Sequence, residues 1–358
     1  MSWELSFPSR GEAQTQVELV CDGFGELFHW LQQREGRFYL VVDESVLLFH
    51  PHRLAPLKEE AWGVSIVPGG DRSKKPSKLA ELCSGMAEVG LGRRDAVVVV
   101  GGGSILDLGG LAAALYLRGV SLIQVPTTLL SAVDACLGGK CAVDLPEGRN
   151  LMGVFHFAEK LLVDPLFLGT LPLSEFFNGL GEVAKYGLGF SEGLMDWLLA
   201  LPPLGPSSDP VLLEDLVGKC LRIKSEVVMQ DPWERDGVRR TLNLGHSLAH
   251  ALEAFSGPGG IGHGRAVGLG LRAELRTGGL PARERRKAEV FLDHLGQASS
   301  LIEVFSRPPG VKELQPFFLR DKKTEGAFLF EPRIETLGSC SMKRVDPALH
   351  LKDLLKSL

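Results

Sequence analysis

Four side chains could hold a metal ion. His246 and His250 stand at i and i+4 in Asn243-Leu244-Gly245-His246-Ser247-Leu248-Ala249-His250, so on a helix they share one face. His263 follows in Gly262-His263-Gly264, and Glu182 lies upstream in Gly181-Glu182-Val183-Ala184-Lys185. A catalytic Zn²⁺ takes three protein ligands and keeps one open position. Spacing does not say which three of the four supply them. A histidine pair alone more often lines a helix face, and the nearby glycines and third histidine shift the balance toward a metal.

A second kind of chemistry is carried by Gly101-Gly102-Gly103-Ser104, which follows a valine run and opens a helix. Glycines there let backbone amides approach a phosphate at a helix N-terminus, as in dinucleotide sites. Asp43 ends its own apolar run, where it could accept a ribose hydroxyl or simply end the strand. Arg118, Lys140, Lys185, Lys224, Arg239, Lys322 and Lys323 recur beside glycines and helices, with Asp107, Asp134 and Asn150 among them. Singly, each reads as a surface charge; jointly, they suit a phosphorylated anionic substrate.

The elements that must position these groups are legible in outline. Phe38–Val42, Val64–Val67, Ala96–Val100 and Leu122–Val125 are short apolar runs ending in Asp, Gly or Thr turns. Such runs, alternating with helical stretches, predict a doubly wound, Rossmann-like parallel α/β domain over residues 1–168. After Asp164-Pro165 the pattern becomes helical, as over 173–201, 211–228 and 242–255, which predicts a mostly α-helical metal- and substrate-binding domain over 169–358. A small hairpin is expected near 327–334. Net charge is −5, which argues against a nucleic-acid partner. The six cysteines form no C-x-x-C pair and read as reduced thiols of a cytoplasmic protein. Neither a signal peptide nor a membrane span is expected.

The segments GGGSILDLGG (101–110), RGVSLIQVPTTLLSAVDACLGGK (118–140), GRN (148–150), TLP (170–172), GLGEVAKYG (179–187), IKSEVV (223–228), RRTLNLGHSLAHALE (239–253), HG (263–264) and RDKK (320–323) follow in one order. Together they resemble the 3-dehydroquinate synthases, within the sugar phosphate cyclases, from about Asp43 to Lys323. The resemblance implies metal ligands Glu182, His246 and His263, with His250 facing substrate. It implies NAD contacts from Asp43, Asp71, Lys74, Gly102, Gly103, Asp107, Thr127, Thr128, Arg149 and Thr170. It implies substrate contacts from Asp134, Lys140, Asn150, Lys185, Lys224, Arg239, Asn243, His250 and Lys322 or Lys323. Arg118 would reach the phosphate bound by a neighbouring subunit, which implies a homodimer. The implied reaction takes 3-deoxy-D-arabino-heptulosonate 7-phosphate through transient oxidation by NAD, phosphate elimination, re-reduction and internal aldol closure, with Zn²⁺ or Co²⁺.

Departures from the family pattern are local. Arg265 stands where the family usually has Glu, and Cys141-Ala142-Val143-Asp144 replaces its usual T-G-V-N. Asp71 is one methylene shorter than the usual acid. Another sugar phosphate cyclase, a metal-dependent polyol dehydrogenase and a non-catalytic relative are the rival readings. Retention of Asn243, His250 and Lys322 or Lys323 favours the dehydroquinate reaction, and the cationic set disfavours a dehydrogenase.

Overall fold

The computed structural model describes residues 1–7, 13–257, 259–320 and 328–358. Lys322 and Lys323 lie outside the described residues. The chain divides into two compact units, Met1–Leu171 with Pro206–Trp233, and Pro172–Gly205 with Glu234–Leu358.

The first unit carries β1 (Ser2–Phe7), β2 (Ala13–Leu19), β3 (Phe38–Asp43), β4 (Gly63–Val67), β5 (Ala96–Gly101), β6 (Ser121–Pro126), β7 (Lys140–Leu145), β8 (Gly148–Phe155) and β9 (Lys160–Val163). Seven of these form one sheet in the order β1-β2-β9-β6-β5-β3-β4, parallel except for β1 against β2. β5 is buried along its whole length because helices cover both faces. Val98 and Val100 join a core with Leu27, Leu54 and Leu57 from the helices on one side. On the other, Val99 meets Gly109 of the helix Gly103–Leu115 so closely that a Cβ there would lie 2.6 Å from the valine. Each buried valine contributes about 1.5–3 kcal/mol, which explains why a pure β-branched run sits at the sheet centre.

The strand order reverses between β3 and β5, whose registers pair Val42 with Val100. Asp43 and the Gly101–Gly103 turn therefore leave the sheet side by side at its carboxyl edge, the place where open α/β sheets bind ligands. β7 and β8 form a separate hairpin. The four strands read from sequence are all present. The β1–β2 edge, β9 and the β7–β8 hairpin were not anticipated, because short or polar strands carry no long apolar run.

The helix Pro210–Gln230 differs from expectation, since it belongs to the first unit rather than the second. Its buried face includes Leu213, Leu216, Val217 and Leu221, and a Cβ on Gly218 would touch Leu19 of β2 at 3.1 Å. Helical periodicity identified the element but not the surface that covers its apolar face.

Among the described residues the second unit is helical apart from one hairpin, β10 (Leu329–Thr336) with β11 (Ser339–Val345), longer than the one expected. Its core joins Leu248 and Leu252, Leu269 and Ala273, Leu314 and Phe318, and Leu351 and Leu354 from four helices. No helix among the described residues is long and apolar enough to cross a membrane.

Candidate active site

Glu182 lies in the middle of the helix Leu173–Gly189, while His246 and His263 are each the first residue of a helix, His246–Ser256 and His263–Thr277. Two glycine contacts bring the outer helices together. A Cβ on Gly181 would lie 2.0 Å from the Gly264 carbonyl oxygen, and one on Gly264 would lie 1.6 Å from that of Asn178. Only glycine permits this backbone approach, and each of Gly181 and Gly264 adjoins a candidate ligand.

Glu182 Oε1 lies 3.0 Å from His263 Nε2 and 3.4 Å from His246 Nε2. A tetrahedral ion with bonds of about 2.0–2.1 Å separates its ligands by about 3.3 Å, so this donor set fits such an ion. The far ring nitrogens are tied down as metal-bound histidines require. His246 Nδ1 is 3.0 Å from the Leu244 carbonyl, and His263 Nδ1 is 3.1 Å from Glu253 Oε2. Lys185 Nζ lies 2.5 Å from Glu182 Oε2, with both side chains buried. The His250 ring stacks on His263 at 6.2 Å and meets His246 edge-on at 5.4 Å.

The electrostatics follow from this crowding. Burial would raise the Glu182 carboxyl, but Lys185 and the two histidines hold it well below the usual range. Burial pulls His246 down, with Glu182 acting against it. Burial also opposes charge on His263, yet hydrogen bonds to Glu182 and Glu253 outweigh it and raise the ring to about 10. Glu182 and Glu253 thus favour positive charge at His263, as a cation-binding donor set does.

In the first unit, Gly102 is the N-cap of the helix Gly103–Leu115 that follows β5, and no side chain caps that helix end. A Cβ on Gly102 would reach 3.0 Å from Thr128 Cγ2. Thr127 is buried, and its hydroxyl has no hydrogen-bond partner among the described residues. A narrow glycine turn beside an unsatisfied buried hydroxyl fits a dinucleotide phosphate and its polar neighbours. Thr128 Oγ1 is instead bonded to Ser131 at 2.8 Å. Asp43 is buried, which raises its carboxyl, and Oδ1 accepts from the Ser45 amide at 2.9 Å. Thr170 is exposed and bonds His50 at 2.8 Å.

The remaining candidates form small groups that cut across the expected cofactor and substrate sets. Lys74 Nζ lies 2.5 Å from Asp107 Oδ2 and also binds Asn150 Oδ1. Burial raises the Asp107 carboxyl, against the pull of Lys74. Asn150 has a left-handed backbone, φ 57°, and its amide donates to Asp144 Oδ1 at 2.8 Å. Asp144, noticed in the sequence only as a departure, anchors this turn. Lys224 Nζ is 2.8 Å from Asp134 Oδ1 and 2.6 Å from the Asp134 carbonyl. Arg149 and Asp71 form an exposed pair at 2.9 Å, worth at most about 1 kcal/mol. Lys140 starts β7 and is exposed, and Arg118 is exposed on a turn; in the second unit Arg239 is buried and Asn243 exposed on the turn Val238–Asn243.

Glu253 was missed. Its signal is spacing, because it stands at i+7 from His246 and i+3 from His250 on one helix face. A further donor group, Glu274, Glu331 and His350, is buried in the second unit. There Arg333 Nε lies 2.8 Å from Glu274 Oε2, and Arg333 donates to His350 Nδ1 at 3.2 Å. His350 Nε2 lies 3.2 Å from Glu274 Oε1 and 3.6 Å from Glu331 Oε2. That cluster already holds its cation and reads as an ion-pair clamp.

A family model described as 3-dehydroquinate synthase N-terminal matches residues 64–178, and one described as 3-dehydroquinate synthase C-terminal matches 179–324. The chain belongs to the 3-dehydroquinate synthase family. The 3-dehydroquinate synthase of Synechococcus sp. is 34% identical over 356 residues, 96% of this chain and 95% of that protein. That of Symbiobacterium thermophilum is 38% identical over 300 residues, 82% of each. Among solved structures, 2-deoxy-scyllo-inosose synthase complexed with carbaglucose-6-phosphate, NAD⁺ and Co²⁺ superposes with a TM-score of 0.85 at 22% identity over 100% of both chains. The 2-epi-5-epi-valiolone synthase from Streptomyces hygroscopicus, with NAD⁺ and Zn²⁺ bound, gives 0.84 at 21% over 97% of both. At these identities the two structures establish the fold, and the family rests on the sequence matches.

Proposed function

We propose that this member of the 3-dehydroquinate synthase family converts 3-deoxy-D-arabino-heptulosonate 7-phosphate to 3-dehydroquinate and phosphate, a step of aromatic biosynthesis. The observation that carries the reading is the Glu182, His246 and His263 donor set, closed to about the spacing of a tetrahedral ion, in a chain of this family. Bound NAD and a divalent Zn²⁺ or Co²⁺ supply a reversible hydride acceptor and a Lewis acid.

The first unit is the NAD-binding unit in this reading. Gly102 and Gly103 present amides to the pyrophosphate, and Thr127 offers its unsatisfied hydroxyl. Lys74 and Asp107 hold Asn150 in its strained turn, and Asp134 fixes the Lys224 ammonium. The second unit carries the ion. Lys185 brings a positive charge to its edge, which suits a substrate bearing phosphate and carboxylate. His250 stands beside two ligands and can exchange a proton with a substrate hydroxyl. Lys140, Arg239 and Asn243 complete the substrate contacts, with Lys322 or Lys323.

The enzyme acts as a homodimer in the cytoplasm. Leu117 and Arg118 are both left-handed, φ 50° and 70°, on an exposed turn that aims Arg118 outward. Leu115, Leu117, Leu151, Met152 and Val154 are exposed apolar side chains, and a second copy would cover some of them. All six cysteines are free, and burial raises Cys136 to about 12, as suits inert thiols in a reducing compartment.

Purified protein given the heptulosonate 7-phosphate, catalytic NAD and Zn²⁺ or Co²⁺ should release phosphate and dehydroquinate in equal amounts. It should accumulate no NADH and should stop after chelation. Binding of NAD and metal without phosphate release from this substrate would replace the reading with a cyclase of another sugar phosphate.

A further inference from the structure

Glu253 touches the candidate metal site without belonging to its ligand set. It is buried on the helix His246–Ser256, and its Oε2 lies 3.1 Å from His263 Nδ1. The opposite nitrogen, Nε2, points at Glu182 from 3.0 Å. An imidazole bound through Nε2 must carry its proton on Nδ1, and a carboxylate accepting that proton fixes both tautomer and ring plane. His263 needs this support, because it is the first residue of its helix and its side chain is less buried than that of His246. Arg265, two residues on, is a cation where the family pattern has a carboxylate, and it lies within electrostatic range of Glu303.

We propose that Glu253 is the positioning carboxylate of this metal centre. It holds His263 Nδ1–H so that Nε2 faces the ion, and it does so from the His246 helix, leaving position 265 free to diverge. The inference rests on the functional reading above. A competing arrangement exists, because His250, Glu253 and His263 also place donor atoms within 4.8 Å of one another. There Glu253 would be a direct ligand and His263 would bind through Nδ1. The two arrangements exclude each other, since Glu253 cannot hold the Nδ1 proton and bind an ion at that nitrogen.

The test is Zn²⁺ and Co²⁺ affinity of the whole chain, measured by competition with a chromophoric chelator, together with the Co²⁺ visible spectrum. Glu253→Ala should weaken binding about 10–100-fold. Its Co²⁺ bands should keep the wild-type positions, because the primary ligands remain. Glu253→Gln keeps an acceptor for Nδ1–H and should recover most of the affinity. Should the alanine variant fail to fold by circular dichroism, Glu253→Met, of similar length, reads the same loss. Wild-type affinity in the alanine or methionine variant would overturn the proposal. So would a spectrum altered as strongly as in Glu182→Ala, which would make Glu253 a ligand. A wild-type protein that binds no ion would instead remove the functional reading itself.

Discussion

At the scale of single residues, the candidate metal centre gathers opposite charges whose titration can be followed once any ion is chelated. The His263 ring titrates at about 10 when folded and at 6.5 ordinarily. A raised pKa stabilises the fold fully below the lower value, and this contribution is lost as pH climbs through the higher one. Glu182 has the opposite sign. Its lowered carboxyl stabilises above its ordinary 4.5 and loses that contribution as acid protonates it. The melting temperature of chelator-treated protein should therefore fall between about pH 6.5 and 10. Saturating Zn²⁺, which takes the place of the His263 proton, should flatten that alkaline limb. Calorimetry across this range with and without ion checks it, and an alkaline fall unchanged in His263→Gln would show that another group is responsible.

At the scale of elements, packing decides where the proposed ligands meet. Gly181→Ala would drive a methyl into the Gly264 carbonyl and separate the helices that carry Glu182 and His263. It should cost about 1–3 kcal/mol or more and weaken metal binding with it. Gly25→Ala is the control, because nothing lies within 4 Å of the added methyl and its helix should gain about 0.4–1 kcal/mol. Thermal melts with metal titration separate the two. The Glu274, Glu331, His350 and Arg333 clamp joins the His263–Thr277 helix to β10 and the last helix, Pro347–Ser357. Arg333→Met leaves buried carboxylates without their guanidinium and should destabilise by about 3–5 kcal/mol in urea unfolding. Metal affinity at neutral pH should be unchanged in the part that remains folded, and a matching loss of affinity would mean the clamp does more than hold elements together.

At the scale of the whole molecule, the proposed dimer makes a prediction that a monomer does not. If Arg118 serves the neighbouring subunit, Arg118→Ala and Lys185→Met are each inactive alone. Co-refolded at equal amounts, half the dimers are mixed and each has one intact site, so about a quarter of wild-type activity should return. No recovery, with mixed dimers verified by mass, would place Arg118 in its own subunit's site.

The residues that could do chemistry were legible because their identities sit in local patterns. Gly101–Gly103 after a valine strand, His246 and His250 on one face, and Glu182 before Lys185 each follow from short-range geometry. The parallel sheet was legible for the same reason, since continuous β-branched runs such as Ala96–Val100 tolerate burial on both faces. Spacing could not bring Glu182, His246 and His263 together, nor place Glu253 beside His263. Those depend on helices far apart in sequence that meet through glycine contacts, and on which nitrogen of a ring faces which carboxylate. Nor could periodicity assign the helix Pro210–Gln230 to the first unit, because an apolar stripe states that a face must be covered and not by what. The chemistry available was set by residue type and local order, while its assembly was decided by long-range packing, which no local pattern encodes.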